Sequence, residues 1–124
     1  MLKVIAFLKR KPGMTMEEFI DHYETKHVPL GMKYATKIKH YSRRYLYPAA
    51  YPFGVKHELD CDVLTELWLD DLKALEENWA ALRQPEAFAA LSGDEMKVFD
   101  TSKNRLAIVD ERISDPKLLI ANRK

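Results

Sequence analysis

The hydrophobic pattern of this chain changes period in the order strand, helix, strand, strand, helix, strand, and few folds accommodate that order. Val4 to Leu8 is a compact apolar run of strand formers, ended by the charges of Lys9, Arg10 and Lys11 and by the turn pair Pro12-Gly13. Thr15 stands three residues before Glu18, the Thr-x-x-Glu spacing of a helix-starting capping box. At about 100° per residue, Met16, Phe19, Ile20, Tyr23, His27 and Leu30 fall within an arc of roughly 100°. Glu17, Glu18, Asp21, Glu24 and Thr25 fall outside it, which makes an amphipathic helix with one core face. Pro29 has no N–H to donate and is expected to end or kink that helix near Val28.

From Ile38 to Tyr47 the period shortens to two. Tyr41, Arg43, Tyr45 and Tyr47 share one face, while Ile38, His40, Ser42, Arg44 and Leu46 share the other. Neither face is cleanly apolar, so the strand is expected to line something polar or to meet a partner. Residues 48–58 read as a loop broken by Pro48, Pro52 and Gly54, and Asp62 to Leu69 as the next strand. A second helix starts near Asp70 or Asp71 with Leu72, Leu75, Trp79 and Leu82 as its apolar stripe. Pro85 opens a short helical turn with Phe88 and Leu91, and Ser92 with Glu95 reads as the cap of a further turn through Met96 and Phe99. Arg105 to Asp110 is the closing strand.

This order is the split-βαβ arrangement, an α+β ferredoxin-like βαββαβ fold whose four-stranded antiparallel sheet carries both helices on one face. The opposite face needs a cover that a chain of 124 residues does not itself supply. A second copy is the commonest solution, so a homodimer is expected. Residues 1–111 form the domain. Residues 112–124 read as a tail, and its Leu118-Leu119-Ile120 is apolar enough to be expected against the body or a partner subunit.

Several functions are disfavoured by composition. A net charge of +1 draws neither nucleic acid nor an anionic membrane. The dense basic run Lys9-Arg10-Lys11 reads as a solvated strand end. The apolar start, Met1 to Leu8, is too short for a signal peptide and precedes basic residues, and no apolar run approaches bilayer length. A cytoplasmic protein is therefore expected. Cys61 is the only cysteine, so no intramolecular disulfide forms. The four glycines are scattered singly, giving neither a phosphate loop nor a dinucleotide fingerprint. His57 to Asp62 lacks zinc-site spacing, and His22 and His27, five residues apart, stand about 140° apart on a regular helix and do not converge. Neither a metal nor a cofactor is expected.

What remains is side chains that can move protons. His27 lies on the apolar arc beside Phe19 and Tyr23, and an imidazole in an apolar pocket suits general acid or base work. It can equally be a buried histidine that ties down the helix end. His40, with Ser42 and Arg44 on its strand face, is a second catalytic candidate, and Tyr23 a third. Tyr41 and Tyr45 can line a ligand pocket with hydroxyls directed at an oxyanion, or pack at an interface. Phe19 and Trp68 complete the substrate-binding candidates, although Trp68 and Trp79 read first as core.

A family resemblance adds to this. Phe7-Leu8-Lys9-Arg10-Lys11-Pro12-Gly13-Met14-Thr15, followed by Glu18-Phe19, Tyr23 and His27-Val28-Pro29-Leu30, resembles the EthD family of the dimeric α+β barrel superfamily. Glu66-Leu67-Trp68-Leu69-Asp70 and the Pro85-Glu86 segment are similar to its second half, and the resemblance spans residues 3–111. It implies two sheets packed face to face across a two-fold axis, with a small-molecule pocket in each subunit. It also implies cofactor-independent enzymes: similar proteins act as decarboxylases, dehydratases or cyclases in aromatic polyketide tailoring, and others in the superfamily are oxygenases or isomerases. The expected activity is proton transfer on a small aromatic or polyketide-like substrate. The alternatives are a non-catalytic binding or accessory protein of an oxidative catabolic pathway, and a cofactor-free oxygenase. The Pro- and Tyr-rich loop at 48–58 sets this chain apart from shorter relatives.

Overall fold

In the computed structural model, which describes residues 1–123, the first turn follows from two residue types. Lys11-Pro12-Gly13-Met14 closes with the Met14 N–H donating to the Lys11 carbonyl at 3.1 Å. Pro12 supplies the fixed φ, and Gly13 takes φ +87°, a region that side chains disfavour. The turn joins strand β1 (Leu2–Leu8) to helix α1 (Met16–His22). The capping box is present: the Glu18 N–H donates to Thr15 Oγ1 at 3.1 Å and the Thr15 N–H donates to Glu18 Oε1 at 3.0 Å.

Here the chain departs from the regular helix expected of it. Tyr23–His27 is a π-helical turn, and Val28–Tyr34 continues as α2. The Val28 N–H reaches back five residues to the Tyr23 carbonyl. Pro29 therefore does not end the helix. It sits at the start of α2, directly after the π turn. The expected strand over Ile38 to Tyr47 is shorter, β2 (His40–Tyr45), entered through Lys37 at φ +68°. Strand β3 (Val63–Leu69) and helix α3 (Leu72–Leu82) follow, the helix capped by Asp71, which accepts from the Ala74 N–H at 2.8 Å. The expected break at Ser92 is absent. Helix α4 runs unbroken over Pro85–Val98, and the Ser92 hydroxyl donates to the Phe88 carbonyl at 2.6 Å instead of capping. Strand β4 (Arg105–Ile108) closes the domain.

The sheet has the order β2-β3-β1-β4 and every pairing is antiparallel, which is the ferredoxin-like arrangement. Register sorts the side chains. Val4, Ala6 and Leu8 lie across from Leu67, Thr65 and Val63, and these face the helices. Ile5, Phe7, Leu64, Glu66 and Trp68 face the other way, with no helix over them. Two packed clusters hold the layers together: Phe19, Tyr23, Val63, Val98 and Phe99 at one end, and Val4, Leu69, Ala74 and Leu75 at the other.

The basic run at the end of β1 is less solvated than expected. Lys9 Nζ donates to the Leu59 carbonyl at 2.8 Å, and the Arg10 N–H donates to Asp62 Oδ2 at 2.9 Å, pinning the segment before β3. The tail does not pack on the body: Ile113 and Ile120 are 84% and 82% exposed. The 48–58 loop also projects outward, with Tyr51 and Phe53 exposed around an Ala50–Lys56 bridge. No helix among the described residues is long and apolar enough to cross a membrane.

Candidate active site

Between the two core clusters the layers do not quite meet. They leave a cavity of about 180 Å³, floored by Ala6, Thr65, Leu67 and Tyr41 of the sheet. Tyr23, His27 and Met32 wall it on one side, and Trp79, Leu82 and Leu91 on the other. An apolar cavity near 150 Å³ accepts benzene, so the space matches about one substituted ring.

The chemistry is set by the π turn and α4 together. Asp94 of α4 accepts from His27 Nδ1 at 2.8 Å through one carboxylate oxygen and from His22 Nε2 at 2.8 Å through the other. The sequence reading that these histidines diverge is thus corrected. The extra residue of the π turn lowers the rotation per residue and returns His27 to the side of His22. Burial opposes ionisation of Asp94, yet the bonds from His22 and His27 outweigh it and hold the carboxyl below its usual range. With Asp94 ionised, each histidine nitrogen facing it must carry the hydrogen. His27 therefore keeps Nε2 as its free ring nitrogen. Its ring is further fixed edge-on to Tyr23 and Phe99, with centroids at 5.6 and 5.2 Å.

The next residue of α4, Glu95, also lines the cavity, and burial pushes its carboxyl above the ordinary glutamate value. Tyr23 is 1% exposed and shares a hydrogen bond with the Thr65 hydroxyl. Burial raises the Tyr23 and Tyr41 phenols, so both are neutral hydrogen-bond donors at physiological pH. Asn78 and Asn104 also line the cavity, and Asn78 Nδ2 and Asn104 Oδ1 have no partner among the described residues. Each such orphan costs on the order of 1–3 kcal/mol.

The sequence-derived candidates thus separate. His27, Tyr23 and Tyr41 meet at the cavity. His40 and Trp68 lie on the opposite sheet face, stacked on each other at 4.2 Å, with His40 Nε2 3.0 Å from the Ser42 hydroxyl. Strand alternation turns them away from the helices, and they do not line the cavity. Phe19 is fully buried in the core cluster. The Tyr45 hydroxyl donates to Glu24, whose carboxylate also takes Arg43 at 2.9 and 2.7 Å, so Tyr45 ties the π turn to β2. Sequence reasoning missed Asp94, Glu95, Asn78 and Asn104. Glu95 read as a capping residue, and for the others only an acidic or amide residue on a helix or at a strand entrance was available as a signal. Among the described residues no group of three or more His, Cys, Asp or Glu is arranged to hold a metal.

The family model for the EthD domain matches residues 11–102. The chain belongs to the EthD family. A solved EthD-family protein of Bacillus halodurans is 25% identical, with 90% of this chain and 100% of that one covered at a TM-score of 0.60. An Arabidopsis thaliana protein shares the fold at 10% identity, with 93% and 99% covered and a TM-score of 0.60. A NIPSNAP-like domain protein of Burkholderia xenovorans does so at 16% identity, with 93% and 89% covered and a TM-score of 0.56. No curated protein matches the chain.

Proposed function

We propose that this EthD protein is a cofactor-independent enzyme that moves a proton on a small, neutral, ring-sized substrate. The observation that carries the reading is His27, whose Nδ1 is held by Asp94 while its ring walls an apolar cavity. A carboxylate behind an imidazole sets its tautomer and stabilises the cation that forms when Nε2 takes a proton. His27 is the base in this scheme. Tyr23 and Tyr41 donate to the oxygen on which negative charge develops, and Glu95, kept protonated further up the pH scale by burial, is placed to return a proton. Among the described residues no Lys or Arg lines the cavity, which favours a carbonyl or phenolic substrate over a carboxylate. Enolisation, dehydration and cyclisation fit this better than decarboxylation. The cavity volume favours one ring over a fused polyketide.

We further infer a homodimer packed through the open sheet face, where Ile5, Phe7 and Leu64 carry no helix and are only half-buried.

The test is His27→Gln, which keeps a hydrogen-bonding amide but cannot shuttle a proton. On ring-sized ketones and phenols that the wild type turns over, the rate should fall roughly 10²–10⁴-fold with the folded state intact. Full turnover in His27→Gln removes His27 from the chemistry.

A further inference from the structure

The two orphaned amide atoms are the part of the cavity that proton transfer does not use. Asn78 is 1% exposed, and its orientation is fixed: the Thr36 N–H donates to Oδ1 at 2.9 Å, so the atom left without a partner is a donor, Nδ2. A flipped amide would set its NH2 against the Thr36 N–H. Asn104, half-buried in the turn before β4, makes no side-chain hydrogen bond among the described residues, so its amide can present either the oxygen or the NH2 to the cavity. Native proteins pair the large majority of buried polar groups, and a buried donor left open in the lining of a cavity marks a bond completed by something that enters it.

We propose that Asn78 and Asn104 are the specificity-determining residues of this cavity. Asn78 Nδ2 donates to a carbonyl oxygen, and the Asn104 amide bonds a hydroxyl, a group that can both donate and accept, of a neutral, single-ring ligand. The inference rests on the cavity being the substrate site proposed above and adds the substrate class: a hydroxylated aromatic or cyclic ketone. Cations that would favour an anionic ligand are missing from the described lining.

Equilibrium binding to the whole protein tests it, with four probes: cumene, acetophenone of the same shape with a carbonyl, para-hydroxyacetophenone, and benzoate. Acetophenone should bind about tenfold more tightly than cumene, the worth of roughly one buried neutral hydrogen bond. Para-hydroxyacetophenone should bind more tightly again, and benzoate most weakly. Asn78→Asp retains the acceptor for Thr36 and replaces Nδ2 by an oxygen, so it should lose the acetophenone preference and still bind cumene. Asn78→Leu removes the donor without adding charge and should do the same, with its melting temperature recorded alongside. A preference for acetophenone that survives in both variants overturns the proposal, as does preferential binding of benzoate or failure of every probe to bind. The readout is affinity and not turnover. Full turnover in His27→Gln with the acetophenone preference lost in the Asn78 variants removes the proton-transfer reading alone, whereas an inactive His27→Gln with the preference surviving in those variants removes this one alone.

Discussion

Asp94 does for His27 what the apolar arc alone would not. Buried among Tyr23 and Phe99, an unpartnered imidazole is free to choose its tautomer, and half the choices put a hydrogen on Nε2, where the proposed base has to accept one. The shared carboxylate removes that freedom and spends His22 in doing so. This gives Asp94 a stability signature with a definite sign. Its folded carboxyl lies below the ordinary aspartate value because of His22 and His27. The stabilisation is therefore present above about pH 4 and is lost as pH falls through the lower folded value. Asp94→Asn should lose roughly 1–3 kcal/mol at pH 5 to 7, and the deficit should shrink below about pH 4. Thermal unfolding of both proteins across that range checks it. A deficit that grows in acid would mean the carboxylate is not held by the histidines.

At the scale of elements, the π turn is the feature on which the site depends. It joins two short helices, orients Tyr23 and His27, and is tied to β2 by the Arg43–Glu24 pair. The 48–58 loop has the opposite character. A Pro- and Tyr-rich segment suits either a flap over the ligand or a clasp on a partner, but none of its residues lines the cavity, and Tyr51 and Phe53 project outward. Shortening residues 49–56 should therefore leave the affinity for acetophenone unchanged within about twofold, while the dimer dissociates at higher protein concentration. Calorimetric titration and sedimentation on the same variant separate the roles. Weakened probe binding without a change in assembly would restore the flap.

For the whole molecule the open sheet face decides. Phe7 and Leu64 pair across β1 and β3 on that face, and Ile5 lies two residues along. These side chains are half-buried with no helix over them, an apolar face that a second layer would cover, and the exposed tail apolars Ile113, Leu118, Leu119 and Ile120 add to the same demand. The protein should run at twice its chain mass. Leu64→Glu, which brings like charges together across a two-fold axis, should give monomers with the cavity residues unmoved. Wild-type protein that is monomeric at micromolar concentration would remove the dimer from this account.

Local chemistry determined much of this protein. The capping box at Thr15, the Pro12-Gly13 turn, the alternation of β1 and β3 and the apolar arc of α1 each follow from residues within a turn or two, because caps, turns and periodicity are short-range. Those elements suffice for the ferredoxin-like order, and the apolar arc puts Tyr23 and His27 on the inner side, whereas the face of Tyr41 is fixed only by the pairing of β2 with β3. The tertiary structure decided the rest. Asp94 is distant in sequence from His22 and His27, and only the packing of α4 against the π turn brings it to both. The π turn itself is not visible in a 3.6-residue period, since a single extra residue shifts every later side chain without changing composition. His40 and Trp68 share residue types with the site yet face away from it, because strand alternation assigns a face but not which face the helices cover. The cavity, and the unpaired amides in its wall, exist because two clusters of side chains pack at either end and leave a gap between them. Such a gap is a property of volumes summed across layers, and no stretch of sequence carries it.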